Sequence, residues 1–162
     1  MILALPTLPE NIPPVNANWQ LLFTVMQVPP LIFVLSRAIK WSREQGTLIP
    51  LMFIVGGIFA MFNEPIVDRA GLVYFPTDGQ WTLYETFGIA QPVWLALAYA
   101  WFFGGQPLVV WRMLERGMRG AALWKVLGVI FVVDVLLEHP SLYADLFLYY
   151  GHQPFQFTRF PL

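Results

Sequence analysis

The sequence predicts an all-α integral membrane protein with four transmembrane helices arranged as two hairpins. Three observations lead there. The 162-residue chain is 57% hydrophobic and only 12% charged, about half the ~25% charged share of a soluble domain, and its mean hydropathy is +0.59. Its apolar residues gather into four runs close to the ~20 residues that a bilayer crossing requires. Seven Trp, six Tyr and 14 Phe supply the amphipathic rings that favour membrane interfaces. A soluble fold of this size has no interior large enough for so much apolar surface.

Residues 1–18 are proline-rich and lack a basic start, so they read as a short tail rather than a signal peptide. Residues 19–162 form a single helical membrane domain. The first span covers 19–35, where Pro29 and Pro30 remove backbone donors and predict a kink. The second covers 47–66, and it reaches crossing length only by taking Asn63 and Glu64 into its last turn. The third covers 92–111, with Ala96, Ala100 and Gly104 as a small-residue ridge and a shorter one at Gly56 and Ala60 on the second span. The fourth covers 123–137, with Asp134 near its end. The segments between them, rich in Phe, Tyr and Trp, read as aromatic loops.

Charge sorting gives the direction. Arg37, Lys40, Arg43, Arg112, Arg116, Arg119 and Lys125, seven of the nine basic residues, fall on one side. Basic loops stay cytoplasmic, so both termini of this chain are expected to be extracytoplasmic, in a plasma membrane. The pattern of one hairpin recurs in the other. QVPPLIFVLSR and GQPLVVWR both place Gln and Pro in a span that ends in Arg. Spans two and four both end in acids four residues apart, Glu64/Asp68 and Asp134/Glu138. A weak internal repeat follows, and with it the expectation that the sequence stops just before a fifth span.

The acids are the candidate chemistry. Ionisable groups within a span cost ~2.5–3.5 kcal/mol on insertion scales, so they face an interior or a wet cavity. Desolvation and a neighbouring like charge let a carboxyl hold its proton near neutral pH, as a general acid must. Glu64 is the expected acid, Asp68 or Asp134 its partner, and Asn63 the group that orients it. Solvated helix ends or charge pairing are the competing explanations. Tyr74, Trp81, Tyr84, Tyr149 and Tyr150 offer rings and polar tips for an apolar ligand, or simple interface anchors. His139 and His152 lack the spacing of a metal pair, no cysteine is present, and no phosphate loop or basic footprint exists. Neither a metal, a cofactor nor nucleic acid is therefore expected; membrane lipid and a lipophilic small molecule are the implied partners.

FNEPIVDRAGLVYFP, GQWTLYETFG and GHQPFQF resemble a group of bacterial multi-pass membrane proteins, the AveC-like spirocyclase family. The shared feature is an acid-bearing span end, an aromatic loop and a further span, over about residues 50–160. The resemblance implies a longer chain in a bacterial inner membrane. It also implies acid/base ring closure or dehydration of a lipophilic substrate, with Glu64 and Asp68 at the acidic motif. The leading expectation is thus a cofactor-independent membrane cyclase or isomerase. A proton-coupled carrier or lipid-binding subunit, and a structural or assembly protein without a ligand, are the alternatives.

Overall fold

A computed structural model describes residues 7–151; His152, most of GHQPFQF and the end of the chain lie outside them. The described residues are 66% helical. Among the described residues, three helical segments are long and apolar enough to cross a membrane: Ala17–Gln45, Ile49–Gly71 and Val93–Glu115.

Helix α1 (Ala17–Gln45) starts at Asn16, whose side chain accepts from the Asn18 and Trp19 amides at 3.0 and 3.2 Å. It continues through Pro29 and Pro30 and stops at Gly46, which takes the left-handed φ of 64° that releases a helix end. The second span is α2 (Ile49–Ala60), a tightened turn over Met61–Asn63, and α3 (Glu64–Gly71). Pro65 sits in the first turn of α3, where a missing donor costs nothing. The helix therefore runs five residues past the expected end at 66, placing Asp68 within the helix rather than beyond it. The third span is likewise divided, into α4 (Val93–Trp101) and α5 (Gly105–Glu115). Helix α6 (Ala121–Tyr143) corresponds to the expected fourth span. Lys125, Asp134 and Glu138 interrupt it, and it is exposed along most of its length with only Ser141 buried.

Helix α4 packs mainly on α1 and α2. The crossing with α2 is made by Gly57 and Gly104. A β-carbon on Gly57 would lie 2.7 Å from the Tyr99 carbonyl oxygen, and one on Gly104 would lie 2.8 Å from the Ile54 Cα. The expected ridge on the third span is thus in contact, but its counterpart is Gly57 rather than Gly56, which faces open space. Gln27 accepts from the Trp101 indole at 2.7 Å, a polar tie between the first and third spans.

The aromatic segments fold further than loops. Strands β2 (Thr82–Thr86) and β3 (Ile89–Pro92) form an antiparallel hairpin. Its two-residue turn is Phe87–Gly88, with φ of 54° and 72°, the positive pair that matches strand twist. Strand β1 (Val73–Tyr74), which follows α3, pairs antiparallel with β4 (Leu148–Tyr149), which follows α6. Beneath these strands lies the larger core, where Phe75 meets Trp94 and Phe147 with ring centroids 6.1 and 5.5 Å apart. The tail joins this cap: Val15 is buried and its amide donates to the Asp78 carbonyl at 2.9 Å.

Candidate functional site

The site is built where the second span enters the cap. Glu64 opens α3, and Asp68 follows one helical turn later on the same face. Asp68 is 2% exposed, and its Oδ2 accepts from Gln91 Nε2 at 2.7 Å; Gln91 itself is fully buried on β3. Glu64 is half-buried and accepts from the Tyr99 hydroxyl on α4. Among the described residues the ion pairs are Lys40–Glu44 and Arg112–Glu115, both at the other end of the molecule. Arg69, beside Asp68 in sequence, donates to the Tyr150 hydroxyl at 3.0 Å instead. The carboxyls are therefore held by neutral donors, and Gln91 Oε1 is buried without a partner among the described residues.

The tyrosines form the roof. Tyr84 donates to the Met61 carbonyl at 2.8 Å, on the turn just before Glu64. Burial, then the charges of Glu64 and Asp68, push its phenol above the usual range. Tyr149 lies 3.5 Å from Glu138 Oε2, and burial followed by the Glu138 charge pushes it up to about 12. Asp134 stands one turn before Glu138 on α6, forming a second acid pair within Coulombic reach of Tyr149.

The expected residues are thus divided. Glu64, Asp68, Tyr84 and Tyr150 come together at one end, with Asp134 and Tyr149 beside them. Asn63 is exposed and makes no capping bond, and the hydrogen bond that Glu64 accepts comes from Tyr99. Tyr74 is buried in β1. Trp81 is half-exposed, and its backbone is tied to Gln20, whose side chain also donates to the Gly79 carbonyl at 3.0 Å. Two members were missed, Gln91 and Tyr99. Gln91 had one signal: a lone amide in the apolar stretch GIAQPVWLA, where a buried polar group needs a partner.

No family model matches this sequence, and comparisons with curated proteins and with solved structures find no match.

Proposed function

We propose that this protein is a multi-pass membrane enzyme whose Glu64–Asp68 pair carries out acid/base cyclisation or isomerisation of a lipophilic substrate. One observation carries the reading: two carboxyls sit a turn apart at the end of an apolar span, and their partners are the neutral Tyr99 and Gln91. Acids kept for structure in such a place are normally paired with a cation. Glu64, the more exposed of the two, is the group that meets substrate, and Asp68 is its partner in proton transfer. Exposed Phe62, Ile66 and Val67 flank the pair and offer a lipophilic molecule an approach from the bilayer. Such chemistry needs positioned carboxyls in a water-poor site. A carrier would need polar groups through the bundle, whereas the layer toward the basic end is Ala38, Ile54, Ala100 and Leu108.

The reading extends to topology. Helix α6 is the fourth crossing, the basic end is cytoplasmic, and the membrane is a bacterial plasma membrane. The pairing of β1 with β4, each following an acid-bearing helix, is the arrangement that two related hairpins would make. The likeness to the AveC-like family supports the same reaction class. The chain has no cysteine, so single-cysteine labelling is clean. Thr77→Cys should react with an impermeant maleimide added outside intact cells, while Glu44→Cys and Arg116→Cys react only after lysis. The reverse pattern would overturn the orientation.

The function is tested by comparing lipophilic extracts of cells that express the wild type or Glu64→Gln. Isomerisation or ring closure by internal addition predicts a pair of compounds of equal mass, and ring closure with loss of water a pair that differs by one water; either pair is interconverted only with the wild type. Identical extracts would favour a scaffold.

A further inference from the structure

The opposite end of the molecule holds a different feature. A hollow of about 280 Å³ is lined by Ser42, Arg43, Thr47, Leu48 and Leu51, where α1 turns into α2. Ser42 is 8% exposed, and its hydroxyl is buried without a hydrogen-bond partner among the described residues. A helical serine normally returns its hydroxyl to a carbonyl a turn earlier, as Ser36 and Ser141 do here. Arg43 is exposed and takes part in neither of the ion pairs among the described residues. The surroundings are positive. Arg37, Lys40, Arg112, Arg116, Arg119 and Lys125 belong to this end, and its acids Glu44 and Glu115 are each engaged by a cation.

Leu48 and Leu51 also line an apolar groove of about 580 Å³ between α1, α2 and α4. It follows α2 from Leu48 to Ile58, with Leu35 and Ala96 on its walls. Ten helical residues rise ~15 Å, half of the ~30 Å hydrocarbon thickness. A hollow edged by Ser42, Arg43 and Thr47 thus shares Leu48 and Leu51 with an apolar groove about as long as one leaflet is deep.

We infer that this hollow and groove bind one anionic glycerophospholipid of the leaflet at the basic end. The phosphate is held by Arg43 and the Ser42 hydroxyl, and an acyl chain lies along α2. An arginine supplies a charge-assisted bond to phosphate, and the serine gains the partner it lacks. The site lies at the other end of the second span from Glu64 and is independent of any reaction there.

The test uses the full chain, purified in detergent and analysed by native mass spectrometry with added phosphatidylglycerol or phosphatidylcholine. Wild type should retain one phosphatidylglycerol in preference to phosphatidylcholine. Arg43→Gln with Ser42→Ala should weaken that retention by about ten-fold or more. Ala96→Phe, which fills the groove from its wall, should lower retention of both lipids. Arg116→Gln, a cation of the same end outside the hollow, should leave retention nearly unchanged, and glycerol 3-phosphate should not compete. Equal retention of the two lipids would overturn the proposal. So would an Arg116→Gln loss as large as that of the hollow variants, or full competition by glycerol 3-phosphate. Arg43 is exposed and the Ser42 hydroxyl makes no hydrogen bond among the described residues, so the double variant should keep the wild-type Tm, and a loss of retention at unchanged Tm reads binding rather than folding.

Discussion

Gly104→Leu is expected to break the packing of the second span on the third. The two backbones meet at Gly57 and Gly104, where even a β-carbon would lie 2.8 Å from the Ile54 Cα and from the Phe53 carbonyl oxygen. Backbone cannot rotate aside as a side chain can, so the helices must separate. Overpacking costs about 1–3 kcal/mol, occasionally more, and the upper end of that range corresponds to a drop of roughly 6–12 °C in Tm for a chain of this length. The loss extends to the site, because Tyr99 and Gln91 reach α3 only if α4 stays in place. Gly56→Leu is the matched control: that position faces open space, so the same added bulk should leave the Tm within a degree or two of wild type. Thermal unfolding in detergent checks both, and equal behaviour of the two variants would refute the crossing.

Glu64→Gln is expected to leave the protein folded and inserted while removing its activity. The glutamine keeps an oxygen for the Tyr99 hydroxyl and nearly the same volume, so Tm should hardly change. What disappears is the titrating proton. General acid catalysis contributes about 10²–10⁴-fold, and conversion of the lipophilic substrate should fall by that amount. Asp68→Asn should fall less, since its amide oxygen still accepts from Gln91 and Glu64 remains to meet substrate. A Glu64→Gln protein as active as wild type would return Glu64 to an ordinary helix end.

The helical class and the positions of the acids were legible because they depend on local composition. A run such as LIPLMFIVGGIFA followed by FNEPIVD announces a span and its polar end whatever the rest of the chain does. The end itself was misplaced. The expected end at 66 follows from the length a crossing needs. The helix itself runs on to Gly71, because proline is tolerated in a first helical turn and the turn at Met61–Asn63 leads into a new one. The cap was less legible. Phe87–Gly88 lacks the Asn-Gly or Asp-Gly pair that marks most such turns, and β1–β4 joins segments more than 70 residues apart. The partners Gln91 and Tyr99 were hidden for the same reason: hydrogen bonds between residues 23 and 35 positions apart leave no periodic trace. Asn63 adjoins Glu64 in sequence, whereas the hydrogen bond to Glu64 comes from Tyr99 on another helix, which adjacency does not reveal.

The central claim is that Glu64 is a proton-exchanging carboxyl open to lipophilic molecules. A carbodiimide that partitions into the bilayer reacts with such a carboxyl, whereas a water-soluble one prefers acids on wet surfaces. Peptide mass spectrometry of the treated protein should place the lipophilic adduct on Glu64, with Asp68 protected by its burial. The adduct should vanish in Glu64→Gln, and prior labelling should abolish turnover. An unmodified Glu64 alongside labelled Glu10 and Glu85 would contradict the account.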